Sequence, residues 1–301
     1  MKRFIFSLIL LPSLLWAGVG TQTFDFLLIP NGAKYAGIGG CSMGMLGDPF
    51  ALFSNPAGIG AMKAPKFGLT YTQYIAGIQG GCGAYGTPLW NGVLGVGISY
   101  LNFGEDERLD ENSNPIGGGV FTPQSLMPSI GYATIIGNSS VGLSLKIIYQ
   151  TIEEYTSIGV AADAGFMFPV KAYPGLAIGC NIQNLGMQVV KFDKEKEPLP
   201  TFVRVGGTYS VFNGVARISA ELSLPERSLI WGVEWKMSPM FTIRGGYYSL
   251  GNELKSGSSL DILGGLSFGL GFVRQKLSLD YALTPKVDLG LVNQISLLWT
   301  L

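Results

Sequence analysis

Between Gly290 and Leu301 apolar and polar positions alternate with period two. Leu291, Asn293, Ile295, Leu297, Trp299 and Leu301 take one parity, and Val292, Gln294, Ser296, Leu298 and Thr300 take the other. One face is largely apolar and ends in an aromatic residue and a leucine. The other is more polar. That is a β-strand with a different solvent on each face, and at a C-terminus it predicts the closing strand of a transmembrane barrel. The pattern recurs upstream. From Lys66 onward fourteen alternating runs are split by turn residues: 66–76, 78–88, 92–103, 125–136, 140–151, 157–169, 175–184, 201–212, 215–224, 227–237, 240–249, 259–272, 275–284 and 289–300. Each has about the length of a tilted membrane-crossing strand, and an even count suits a bacterial single-chain barrel.

Several runs have clean faces. Val141, Leu143, Leu145, Ile147 and Tyr149 oppose Gly142, Ser144 and Lys146. Ile218, Ala220, Leu222 and Leu224 oppose Arg217, Ser219, Glu221 and Ser223. Trp231, Val233, Trp235 and Met237 oppose Gly232, Glu234 and Lys236, and Leu277, Leu279, Tyr281 and Leu283 oppose Ser278, Asp280 and Ala282. Connection lengths follow strand parity. The longer, charged connections 104–124, 185–200 and 250–258 follow odd strands, whereas tight turns such as Gly137-Asn138 and Asn213-Gly214 follow even ones. Long loops outside and short turns inside are the asymmetry of an outer-membrane barrel. Closure is required there, because hydrocarbon offers no partner to an open sheet edge.

Ahead of the barrel the pattern differs. Residues 1–17 read as a secretory signal, with Lys2 and Arg3 before the apolar stretch Phe4 to Trp16 and small residues Ala17 and Gly18 after it. That apolar stretch is shorter than the ~20 residues a spanning helix needs. Residues 18–64 do not alternate. They are small, apolar and poor in charge, which suits a segment packed inside something. Asp48-Pro49 predicts a helix start over Phe50 to Phe53. Asn55-Pro56-Ala57-Gly58 predicts its end, because a residue before proline avoids helical geometry. The organisation read from this is a signal at 1–17, a plug at 18–64 and a barrel at 65–301.

Composition narrows the chemistry. Charged residues are only 13% of the 301, glycines number 44, histidine is absent and formal net charge is zero. Nothing here favours nucleic acid as partner, and triads or zinc sites built on histidine are excluded. No cofactor is expected. Cys41, Cys82 and Cys180 have no metal spacing. Cys180 reads as a small hydrophobe between Ile178 and Ile182, and an oxidising compartment would permit a Cys41–Cys82 bridge. Gly81-Cys82-Gly83-Ala84-Tyr85-Gly86 has dinucleotide-loop spacing but is followed by Thr87-Pro88 rather than a helix. It reads as a curved strand or a place of close contact with the plug. The acidic stretch 105–111 lacks the spaced ligands of a calcium loop and reads as a solvated loop. Trp90, Trp231, Trp235 and Trp299 read as interfacial anchors.

Arg204, Arg217, Glu221, Glu234, Lys236, Arg244 and Asp280 all fall on inward parities. Two readings are open: a polar lining that docks the plug, or a mutually paired network that fills the lumen. No nucleophile–base pair or paired carboxylate assembles, so an enzyme is not expected.

Gly32-Ala33-Lys34-Tyr35-Ala36-Gly37-Ile38-Gly39-Gly40, Asp48 and Asn55-Pro56-Ala57-Gly58 form an ordered series. It continues at Gln183-Asn184-Leu185-Gly186, Pro198-Leu199-Pro200, Arg204-Val205-Gly206, Ile243-Arg244-Gly245-Gly246-Tyr247 and Leu279-Asp280-Tyr281-Ala282. This series resembles the PorV/PorQ family of outer-membrane proteins, relatives of the FadL-type transporters. The resemblance implies an all-β, fourteen-stranded transmembrane barrel with an N-terminal hatch in its lumen, the hatch motif being Asn55, Pro56, Ala57 and Gly58. It implies residence in the outer membrane of a Gram-negative-type bacterium. It also implies either type IX protein secretion, with secreted cargo or secretion components as partners, or transfer of a hydrophobic small molecule. A sealed barrel that scaffolds envelope proteins is the third reading. A transporter requires an apolar pocket beneath the outer loops; a lumen packed solid with ion pairs speaks against it.

Overall fold

The structure, a computed structural model, describes residues 24–109, 115–192, 196–249, 264–286 and 289–301. The signal at 1–17, the loop 250–258 and the first residues of the run 259–272 lie outside these. The strands, in chain order, are β1 (Lys66–Gln73), β2 (Gln79–Leu89), β3 (Gly92–Asn102), β4 (Asp106–Leu109), β5 (Pro115–Phe121) and β6 (Gln124–Ile136). There follow β7 (Ser139–Ile152), β8 (Tyr155–Pro169), β9 (Leu176–Val190), β10 (Phe202–Val211) and β11 (Ala216–Leu224). The last are β12 (Ser228–Lys236), β13 (Phe241–Tyr248), β14 (Leu266–Arg274), β15 (Leu277–Pro285) and β16 (Leu291–Thr300).

Fourteen of these strands form one closed antiparallel barrel, and β4 and β5 pair apart from it. The C-terminal strand closes the ring: β16 lies against β1 from Lys66↔Thr300 to Gln73↔Asn293. Pleating divides each strand between two environments. Along β7, Leu143, Leu145 and Ile147 are 63%, 64% and 54% exposed, while Ser144, Lys146 and Ile148 are 2%, 5% and 0% exposed. A band of exposed Leu, Ile, Val and Trp around a closed sheet is a surface built for hydrocarbon. Trp231, Trp235 and Trp299 sit on it, and Trp90 stands exposed at the β2–β3 turn.

The connections differ at the two ends. At one end the turns are tight; between β10 and β11, Asn213 (φ 55°) and Gly214 (φ 84°) take the left-handed backbone that a short hairpin turn needs. At the other end two expectations are corrected. The connection 104–124 carries the β4–β5 hairpin rather than a plain loop. β9 runs to Val190, beyond the expected end at 184, because it pairs with β8 across two bulges. Each bulge absorbs one extra residue, which the alternation cannot register. Asn184, at φ 58°, lies at one of them.

Residues 24–62 pass through the lumen. Near the long-loop end the Phe24 ring lies against Gly159 of β8; near the short-turn end Met62 packs on Gly86 of β2. A short helix α1 (Ala33–Ala36) and three 3-10 turns, Asp25–Leu28, Pro49–Phe53 and Pro56–Ala61, punctuate the path. Asp48 caps the Pro49–Phe53 turn as expected, its carboxylate accepting the Phe50 N–H at 3.0 Å. Asn55-Pro56 does more than end it. Asn55 Oδ1 accepts the Ala57 N–H at 3.2 Å and starts the next turn, with Pro56 at its first position. The pre-proline rule explains the break and misses the cap.

Candidate functional site

The lumen wall holds the inner segment in two ways. Residues 30–47 are held through their backbone. Gln294 Nε2 donates to the Pro30 carbonyl at 2.9 Å, the Ala33 N–H donates to Ser296 Oγ at 2.7 Å, and the Gly39 N–H donates to Ser267 Oγ at 2.8 Å. Arg204 Nη1 donates to the Gly40 carbonyl at 3.1 Å. Glu221 Oε1 accepts two consecutive N–H groups, from Ser42 at 2.5 Å and Met43 at 2.6 Å. Lys66 Nζ reaches the Gly47 carbonyl at 2.6 Å.

Residues 50–61 are held by shape. Phe50, Leu52, Phe53 and Ile59 are buried. They face glycines of the wall: a Cβ on Gly68 would meet the Phe50 ring, on Gly97 the Phe53 ring, on Gly95 Ile59, and on Gly131 Leu52. Gly142 does the same for the Pro56–Ala57 backbone, and Gly165 for Asn55 Oδ1. Much of the glycine in the barrel is therefore lumen space. Three polar contacts supplement the fit: Gln183 Nε2 to the Phe53 carbonyl (3.0 Å), Asn181 Nδ2 to that of Ser54 (2.9 Å) and Ser140 Oγ to that of Ala57 (2.6 Å).

Four inward charges form one chain across the wall. Arg217 Nη1 lies 3.2 Å from Glu234 Oε1, Arg244 Nε 2.9 Å from Glu234 Oε2, and Arg244 Nη1 2.7 Å from Asp280 Oδ1. Arg244 on β13 reaches Asp280 on β15 by crossing β14 at Gly271, where a Cβ would stand 2.8 Å from both charged groups. Arg204 and Glu221 stand apart from that chain and grip the inner segment instead. Lys236 keeps the inward parity but is exposed at the end of β12, with no ion pair among the described residues. Asn55 is fully buried at the turn it caps, with Pro56, Ala57 and Gly58 buried behind it.

Sequence reasoning missed a second ionic group. Lys146 Nζ is 2.8 Å from Asp163 Oδ2 and 2.7 Å from Asn184 Oδ1, and the Asn184 N–H donates to Asp163 Oδ1 at 2.8 Å. Asn184 Nδ2 then ties the Pro200 carbonyl at 2.8 Å. The signal was present: Asp163 is a lone carboxylate in an apolar run, and Lys146 lies on a polar parity one strand away. Cys41 and Cys82 are buried as separate free thiols, not bridged, and Cys180 is exposed on the outward face. Gly81 to Gly86 lies within β2, and the Gly86 position touches Met62 of the inner segment. Among the described residues no three potential metal-ligating side chains come together.

The long-loop end is concave. A cavity of about 480 Å³ opens there, lined by Ala76, Ile78, Phe103, Pro123, Ile152, Gln150, Glu105 and Asp106. A second, of about 540 Å³, lies against the outward side chains Tyr71, Gln79 and Tyr100 and also touches Gly80 and Glu105. A small cavity of about 20 Å³, room for a single water, lies below the mouth between Phe26, Ile29, Pro30 and Asn31 of the inner segment and Thr72, Gly81, Ser99, Tyr100 and Leu101 of the wall. Gly81 lines the inner cavity and Gly80 the outward one; the space beside Gly80 is taken by the Leu101 side chain. At this end burial, reinforced by the Glu197 carboxylate, holds Asp25 above the ordinary carboxylate range.

The fold has solved counterparts. The Ralstonia pickettii toluene transporter TbuX is 16% identical with a TM-score of 0.58, covering 91% of this chain and 98% of its own. The Pseudomonas putida toluene transporter TodX is 14% identical with a TM-score of 0.60, covering 92% and 98%. A Pseudomonas aeruginosa FadL homologue is 12% identical with a TM-score of 0.57, covering 90% and 99%. No family model and no curated protein sequence matches the chain. The fold is that of FadL-type outer-membrane barrels; the neighbours are transporters and channels rather than enzymes.

Proposed function

We propose that this chain is an outer-membrane transporter that admits small apolar molecules past a lumen plugged by its own N-terminal segment. The observation that carries the reading is the mouth cavity of about 480 Å³, lined by Ala76, Ile78, Phe103, Pro123 and Ile152 at the long-loop end. Its volume falls in the range of small-molecule sites, about 300–1,000 Å³. The fold shared with two toluene transporters supports the same class of cargo. The lumen beneath is filled, so passage requires movement. Residues 26–31, which line the small cavity below the mouth, are the stretch of the inner segment that has to shift to admit cargo. No covalent chemistry is involved.

The test is uptake of radiolabelled toluene by Gram-negative cells that express the chain in their outer membrane. Expression should accelerate uptake, and Ile152→Trp, which fills the mouth, should slow it. Uptake equal to that of cells lacking the chain would sink the reading.

A second reading, a PorV/PorQ-type component of type IX secretion, rests on the resemblance in sequence and on the ion-paired, filled lumen. A platform for protein cargo needs no passage through the barrel. Co-purification of a secreted protein that leaves with deletion of the β4–β5 hairpin would favour it.

A further inference from the structure

We infer that the mouth cavity is a site for apolar cations, small aromatic or alkyl ammonium compounds, and that it disfavours carboxylate anions of the same shape. The inference rests on the transport reading and names its substrate class.

Two kinds of surface meet in the cavity. Ile78, Phe103, Pro123 and Ile152 offer an apolar wall with one aromatic ring. Glu105, Asp106 and Gln150 bring the polar atoms, and no Lys or Arg is among the described lining residues. The nearest base in the hairpin is already engaged: Arg108 Nε lies 2.6 Å from Glu153 Oε1, and its Nη2 lies 3.9 Å from Glu154 Oε2. Asp106 Oδ1 accepts the Glu107 N–H at 3.0 Å. Glu105 also lines the outward cavity beside Tyr71 and Tyr100.

The two carboxylates and the Gln150 amide oxygen accept hydrogen bonds, and an ammonium group supplies three donors. Among the described residues lining the mouth, a carboxylate ligand would meet two like charges and no fixed cation.

The experiment is equilibrium dialysis of the full chain in a non-ionic detergent with three isosteric probes: 2-phenylethylammonium, 3-phenylpropionate and neutral propylbenzene, each corrected for uptake by empty micelles. The cation should bind about tenfold more tightly than the anion, and added salt should shrink that ratio, as screening at a partly exposed site requires. Glu105→Gln combined with Asp106→Asn should bring the two affinities together, in a variant whose sheet circular dichroism matches the parent. An anion that binds as well as the cation, or a preference that survives the double substitution, overturns the inference. If propylbenzene binds and toluene is taken up without any cation preference, the charge inference falls and the transport reading stands. If no probe binds and toluene uptake equals that of control cells, both fall.

Discussion

The two halves of the lumen hold one segment by opposite means. Against β10 to β16 residues 30–47 are gripped through their backbone by Gln294, Ser296, Ser267, Arg204 and Glu221. Against β1 to β8 the residues from Phe50 to Ala61 drop apolar side chains into glycine-lined hollows. The first kind of contact fixes position through main-chain atoms, and the wall comes close enough there that Gly39 and Gly44 have no room for a side chain against Tyr247 and Thr208. The second depends on side-chain volume and needs little hydrogen bonding from the wall. A plug attached only by shape would slide with the packing, and one attached only by hydrogen bonds would leave voids. Together they set both register and fill.

The largest effect is expected where the backbone grip is strongest. Glu221→Ala leaves the Ser42 and Met43 N–H groups buried without an acceptor, at about 1–3 kcal/mol for each. It also leaves Arg204 without the carboxylate beside it. Hydrogen exchange across residues 33–47 should rise strongly, while residues 50–61 keep their protection. If both stretches exchange together, the segment opens as one unit and the division into halves is wrong. Glu221→Gln, which retains one acceptor oxygen, should show a smaller rise.

Gly142→Val tests the other half. Its side chain would collide with the Pro56–Ala57 backbone, which cannot rotate away as a side-chain tip can. Overpacking of this kind costs about 1–3 kcal/mol. The expected signature is the converse of the first: faster exchange over residues 50–61 with 33–47 protected, and raised conductance in planar bilayers as the hollow empties. Unchanged conductance would mean that residues 50–61 do not block the path.

The two halves were unequally legible in sequence. The fourteen barrel strands could be read because each exposes one parity to lipid and the other to the lumen, whereas the β4–β5 hairpin, which has neither face, was missed. Even the closing pair β16–β1 follows from alternation at residues 291–301. The glycines were visible but their partners were not, because what fills Gly131 or Gly142 lies about 75 to 90 residues away in the chain. Inward charges were readable by parity, yet parity does not say who pairs with whom. Arg244 reaches Asp280 only because Gly271 on the strand between them has no side chain. Lys236 shows the opposite limit, since the correct face near a strand end still meets solvent. The mouth cavity had no signature, because its walls come from loops whose sequences have no period.

Asn55 joins the halves, and its substitution gives the smallest and most informative effect. Its Oδ1 caps the turn that begins the shape-held stretch, 3.2 Å from the Ala57 N–H. Its Nδ2 points at Met43 Sδ, 3.3 Å away, in the backbone-held stretch. Asn55→Ala should cost about 1 kcal/mol, the usual worth of an N-cap, and raise exchange near Ala57 about fivefold. Asn55→Asp keeps the capping acceptor and loses the donor to Met43. If Asn55→Asp protects Ala57 but loosens Ser42 and Met43, the side chain couples the two halves through its two ends. If both variants disturb only the cap, the halves are coupled through the intervening backbone from Gly44 to Asp48. The Asp48 cap, the Gly47 N–H bonded to the Gly58 carbonyl at 2.7 Å and the Lys66 contact would then be the joint to break next.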